Sequence, residues 1–208
     1  MIFKETIVSD EELRTLLGTP SKNVENKTIN HLDHHCCDFI SKSPIIFVST
    51  ADANGYCDTS PRGDAPGFVH IIDHQHFVIP ERPGNKRMDS LRNILANPHI
   101  GLIFIIPGLE ETLRINGKAC VIRDTEILNK MAVNGKPPLL GIGVQVEECY
   151  IHCAKAFKRS KLWHAETWLT KDELPSPSHI LAAHINLPEI TEESILASLQ
   201  ESYTKRLY

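Results

Sequence analysis

The chain has 208 residues, enough for one ordinary domain whose core needs neither a disulfide staple nor a structural metal. Its 22 Lys and Arg against 26 Asp and Glu give a formal net charge of −4, which argues against nucleic-acid binding by phosphate neutralisation. With 41% hydrophobic and 23% charged residues the composition is that of a folded globular protein, not a disordered or fibrous one.

The segment Met1 to Asp10 carries acidic groups where a signal peptide would place an apolar stretch. The longest apolar run, Ile100 to Ile106, falls far short of the ~20 residues that span a bilayer. The six cysteines contain no C-x-x-C pair and read as reduced thiols. Together these features predict a cytoplasmic protein with neither a membrane nor a nucleic acid as partner.

Helical patterns cover Ser9 to Gly18, with Ser9 as cap, and Asn23 to Lys42. Strands are predicted at Ile45 to Thr50, at Thr59 to Arg62 resuming at Phe68 to Ile72, and at His76 to Ile79, stopping at Pro80. A helix over Asn85 to Asn97 carries Met88, Leu91, Ile94 and Leu95 at helical spacing and ends before Pro98. His99 to Ile106 is apolar on both pleat faces, as a central strand would be. In Leu113 to Ile122, Leu113, Ile115, Ala119 and Val121 alternate with Arg114, Asn116 and Lys118. A short helix from Asp124 to Asn134 leads to a last strand within Leu139 to Ile151.

This makes about six or seven strands with short connections and one inserted helix, a mainly β, α+β barrel with helical decoration rather than a βαβ repeat. The predicted division is residues 1–168 as the main domain and 169–208 as a tail. The tail ends in an amphipathic helix with Leu196, Leu199, Tyr203 and Leu207 on one face.

Several clusters could carry chemistry. In Arg82-Pro-Gly-Asn-Lys-Arg87, Asn85 reads as a helix cap with Lys86 and Arg87 in the first turn, where cations oppose the helix dipole unless an anion binds there. A solvated basic turn is the alternative. Arg62 ends a strand in Ser60-Pro-Arg-Gly-Asp64, either at a site or in a surface turn with Asp64. Lys155 to Trp163 joins a basic run to an aromatic, an arrangement able to cover a planar ligand, although a solvated helix face is the usual reading of such a run. His31, His34 and His35 have helical metal-ligand spacing but lack a second half, so an amphipathic helix explains them better. Cys149 and Cys153 read as packing residues. G-x-S-x-G, Walker and H-E-x-x-H motifs are missing, and no catalytic acid or base is singled out.

Taken in order, Ser60-Pro-Arg-Gly-Asp, Pro80-Glu-Arg-Pro-Gly-Asn-Lys-Arg87, Asn97-Pro98, Leu113-Arg-Ile-Asn-Gly117 and Cys153 to Trp163 resemble the pyridoxamine 5′-phosphate oxidase-like FMN-binding proteins. The resemblance covers about Ile45 to Trp163 and implies a split β-barrel homodimer with FMN at the subunit interface. It also implies an FMN-dependent oxidoreductase, exchanging a hydride through flavin N5 with a small-molecule substrate and with NAD(P)H as a candidate donor. A flavin- or haem-binding storage or sensing module without turnover is the alternative.

Residue by residue, the resemblance implies that Ser60 and Arg62 reach the cofactor and that Asn85, Lys86 and Arg87 hold its phosphate. Arg114 and Asn116 are similar to residues presented by a neighbouring strand, and Lys158, Ser160 and Trp163 to the segment that closes over the ring. No R-x-H follows Trp163, and Arg62 has no second basic residue shortly after it, so pyridoxamine phosphate is disfavoured as substrate.

Overall fold

The computed structural model describes residues 2–208. Helix α1 (Asp10–Leu17) starts where predicted, the Ser9 hydroxyl accepting from the Glu12 N–H at 3.2 Å. The second predicted helix is instead two, α2 (Lys22–Asn26) and α3 (His34–Lys42). Between them Ile29 exchanges backbone hydrogen bonds with Cys149, and Leu32 is fully buried. Asp33 then starts α3 by accepting from the Cys36 N–H at 2.8 Å. Pairing with a strand requires extended backbone at Ile29, which overrides the helical spacing.

The strands are β1 (Ile45–Ala51), β2 (Cys57–Gly63), β3 (His70–Ile71), β4 (His76–Pro80), β5 (His99–Ile105), β6 (Thr112–Ile122) and β7 (Gly141–His152). They form one seven-stranded antiparallel sheet in the order β2-β1-β5-β6-β7-β4-β3. The sheet does not close on itself, so the fold is α+β and consistent with a split barrel. Its inner face carries the core, with Ile46, Phe77, Leu102, Phe104, Ile115 and Ile142 at most 1% exposed.

Helix α4 (Asp89–Ala96) packs on β1 and β6. It begins four residues later than predicted, because Asn85 is not its cap. The Asn85 side chain accepts from the Arg87 N–H at 3.0 Å in a local turn, and Met88 precedes the helix in a left-handed conformation (φ 59°). Lys86 and Arg87 therefore lie in the preceding loop, and the acidic Asp89 occupies the first turn, as the helix dipole favours.

Strand β5 differs from expectation on its outer face, where Ile103 is 40% exposed beside Phe47 at 37%. Across the sheet Pro61, Phe47, Ile103, Arg114 and Tyr150 lie opposite one another in turn. Strands β6 and β7 slip register between Asn116 and Gly117, leaving Glu147 as the extra residue of a bulge. A Cβ at Gly117 would collide with the Gln145 carbonyl oxygen, so this close approach requires glycine.

Helix α5 (Thr125–Asn129) is capped by Asp124 and precedes β7; α6 (Lys155–Ser160) follows it. Beyond two short 3₁₀ turns, α7 (Pro177–Ile185) packs on α8 (Glu192–Lys205). The predicted stripe on α8 is corrected: Leu196 and Tyr203 are exposed, Leu207 lies beyond the helix, and the half-buried positions are Glu192, Ile195, Leu199 and Ser202. Cys149 packs as expected, its Sγ 3.3 Å from that of Cys36, whereas Cys153 is exposed. No helix among the described residues is long and apolar enough to cross a membrane.

Candidate functional site

A cleft of about 1140 Å³ opens between the ends of β2 and β4, the loop before α4, the Lys136 to Leu140 segment and Leu207-Tyr208. Its volume suits a cofactor-sized molecule. Because β2 alternates, Asp58, Ser60 and Arg62 are half-buried along the cleft while Thr59 and Pro61 are exposed. The Ser90 hydroxyl, in the first turn of α4, donates to Asp58 Oδ2 at 2.6 Å and lies 3.0 Å from Ser60 Oγ and 3.4 Å from Arg62 Nη2. This network ties β2 to the start of the helix and fixes one wall.

Two ion pairs join the ends of β2 and β4. Arg82 Nε donates to Asp64 Oδ2 at 2.7 Å, and the Asp64 side chain is only 3% exposed. Arg62 Nε lies 3.3 Å from Glu81 Oε2 with both side chains mostly buried. These two atoms are not aligned as donor and acceptor, and both are buried without a hydrogen-bond partner. Burial pushes the Glu81 carboxyl above its ordinary range, against the opposing charge of Arg62. The anticipated surface turn between Arg62 and Asp64 is therefore replaced by separate pairings with Glu81 and Arg82.

The basic loop supplies Asn85, Lys86 and Arg87, all exposed, with Arg87 Nε donating to Asp89 Oδ2 at 2.8 Å. Lys86 (φ 62°) and Met88 (φ 59°) are both left-handed, an uncommon conformation for non-glycine residues that gives this loop its tight course beside the cleft. Beside the loop, Leu207 and Tyr208 line the cleft; the Tyr208 hydroxyl donates to Asp64 Oδ1 at 2.8 Å and its ring lies 5.8 Å from the Arg82 guanidinium.

The structure thus brings together Ser60, Arg62, Asn85, Lys86 and Arg87, and leaves the other five predicted site residues outside this cleft. Arg114 lies over the Tyr150 ring at 5.7 Å on the outer sheet face, and the Asn116 amide donates to Glu148 at 2.8 Å. Lys158 pairs with Glu110, and the Ser160 hydroxyl donates to the Phe157 carbonyl at 3.1 Å. Trp163 Nε1 donates to the Leu109 carbonyl at 3.0 Å, its ring stacked on Phe157. These side chains cluster along the outer face and its rim.

Sequence reasoning assigned no role to Glu81, Arg82, Ser90, Lys136 or Tyr208. Glu81 and Arg82 lie inside a quoted motif, where their chemistry was a usable signal. Tyr208 offered none, because only the fold brings it to Asp64.

The fold and cleft define an α+β protein with a cofactor-sized cleft, edged by the basic Asn85 to Arg87 loop, beside β2 and β4 of an antiparallel sheet. The chain belongs to the pyridoxamine 5′-phosphate oxidase family, whose model matches residues 32–153 of the 208. Among solved structures it is similar to HupZ of Group A Streptococcus, at 18% identity over 58% of this chain and 93% of that one, TM-score 0.47. It is likewise similar to a candidate pyridoxamine 5′-phosphate oxidase of Lactobacillus delbrueckii, at 19% identity over 59% and 95%, TM-score 0.47. HutZ, the haem storage protein of Vibrio cholerae, shares 12% identity over 58% and 93%, TM-score 0.42. No curated protein matches. Family membership rests on the model match alone.

Proposed function

We propose that the protein is an FMN-dependent oxidoreductase acting as a homodimer on a small-molecule substrate, with NAD(P)H as electron donor. The observation that carries this reading is the convergence of Arg62 with Asn85, Lys86 and Arg87 on one cleft in a chain of this family. The buried, unpartnered Arg62 Nε and Glu81 Oε2 fit a cleft that a polar ligand completes, since unsatisfied buried charge is costly.

In this reading Lys86, Arg87 and the loop backbone hold the phosphate, a charge-assisted arrangement that also accounts for two exposed cations side by side. Ser60, fixed by Ser90, sets the wall on which the ligand lies. Arg62 places positive charge where a reduced flavin accumulates negative charge. When bound, FMN supplies hydride exchange through N5.

The partner subunit would add Arg114, Asn116, Lys158, Ser160 and Trp163 from its own outer face and rim. Support for that placement is the exposed Phe47 and Ile103 beside Arg114, an apolar strip suited to burial against a second copy. Pyridoxamine phosphate is not the proposed substrate, because no R-x-H follows Trp163.

The test is anaerobic addition of NADPH or NADH to FMN-loaded protein. Turnover predicts bleaching of the flavin at a catalytic rate and reoxidation when an acceptor is admitted. A flavin that stays oxidised with both donors would favour a binding or storage role instead.

A further inference from the structure

Four carboxylates line the cleft: Asp58, Asp64, Glu81 and Asp89. Three are occupied within the protein. Asp58 accepts from Ser90; Asp64 accepts from Arg82, Tyr208 and the Ala65 N–H; Asp89 accepts from Arg87. Glu81 differs, because its Oε2 is buried with no hydrogen-bond partner although Arg62 Nε lies 3.3 Å away, and that nitrogen is unpartnered as well.

Among the described residues these are the two buried side-chain polar atoms that lack a partner, and they sit side by side at the cleft wall. The two atoms face each other as an ion pair without forming a hydrogen bond, so each keeps unused hydrogen-bonding capacity at the cleft wall. The terminal torsion of a glutamate is broad and two-fold, so the carboxylate can turn an oxygen into the cleft at small cost. The guanidinium still offers the N–H groups that face its neighbours.

We propose that Glu81 and Arg62 together form a recognition pair for a planar amide edge, in which Arg62 donates to a ligand carbonyl and Glu81 accepts from the adjacent ligand N–H. The pyrimidine ring of a flavin presents such an edge, with a carbonyl on each side of its N3–H. The inference rests on the flavin reading above and adds to it the part of the molecule that this wall reads. A nicotinamide carboxamide carries the same pattern and is the competing source.

Equilibrium binding separates the possibilities without any turnover. The apo protein is titrated with FMN, with 3-methyl-FMN, which lacks the N3–H, and with nicotinamide mononucleotide, the flavins followed by fluorescence and the nicotinamide by calorimetry. Wild type should bind FMN about tenfold or more tighter than the 3-methyl compound, the loss expected for one charge-assisted hydrogen bond. Glu81→Leu should bind both flavins equally, and Glu81→Gln, which keeps a carbonyl acceptor, should recover part of the preference. Circular dichroism of each variant confirms the fold.

Equal affinity of wild type for the two flavins, or a preference that survives in Glu81→Leu, overturns the inference while leaving the flavin reading intact. Binding of nicotinamide mononucleotide alone, lost in Glu81→Leu, supports the amide-edge pair and overturns the flavin reading. Failure of all three ligands to bind overturns both.

Discussion

The Tyr208 hydroxyl donates to Asp64 Oδ1 across 2.8 Å, joining the chain beyond α8 to the end of β2, 144 residues earlier. The contact covers the Asp64–Arg82 pair and makes the tail part of the cleft wall. Burial alone would raise the Asp64 carboxyl. The hydrogen bonds from Tyr208, the Ala65 N–H and Arg82, together with the Arg82 charge, outweigh it and hold Asp64 below its ordinary value of 3.8.

A depressed carboxyl contributes stability that is present above 3.8 and is lost as pH falls through the lower folded value. Tyr208→Phe removes one of the stabilising hydrogen bonds. The variant should therefore lose stability at a higher pH than wild type during acid titration, and should melt roughly 2–4 °C lower at neutral pH. Thermal scans between pH 2 and 7 read both effects; superimposable curves would mean that the latch contributes nothing.

Glu81 has the opposite sign. Its folded value is raised above the ordinary 4.5, chiefly by burial, so its stabilising contribution is complete below 4.5 and declines as pH rises toward the folded value. Arg62 lies beside it at 3.3 Å and limits the rise. Urea unfolding at several pH values should show this decline in wild type and its absence in Glu81→Gln. An identical pH dependence in the two proteins would contradict the assignment.

Gly117→Ala should destabilise the protein by about 3 kcal/mol, because the new methyl group meets a backbone carbonyl that the β6–β7 pairing holds in place. Denaturant midpoints measure the loss. A variant within the error of wild type would show that the bulge relaxes freely.

Much of the strand order in sequence was legible because alternation and proline stops are local signals: β1, β4 and β6 fall within a residue or two of expectation. What failed was set partly by distant partners and partly by a local turn. The helix over Asn23 to Lys42 breaks because Ile29 pairs with Cys149. The start of α4 shifts because Asn85 bonds within its own turn, and the half-buried stripe of α8 is chosen by α7. At the cleft, Arg62 and the Asn85 to Arg87 loop were legible from residue type and order. Glu81 lay inside a legible motif, but its pairing with Arg62, like the role of Tyr208, depends on what the fold sets beside it.

Homodimer formation through the outer sheet face predicts that Phe47→Asp with Ile103→Asp yields a monomer by sedimentation equilibrium, with weakened FMN binding. Both side chains are more than a third exposed in the single chain, so the apo fold should survive. A doubly substituted protein that stays dimeric would place the interface elsewhere.

The account stands most directly on uptake of FMN by the cleft, measured by titrating the purified apo protein with the cofactor and with FMN after Lys86→Ala and Arg87→Ala. It predicts saturation at about one FMN per chain for wild type and affinity lower by roughly a hundredfold in the double variant, whose fold is unchanged. A protein that takes up no FMN, or one that binds it equally well without Lys86 and Arg87, would contradict it.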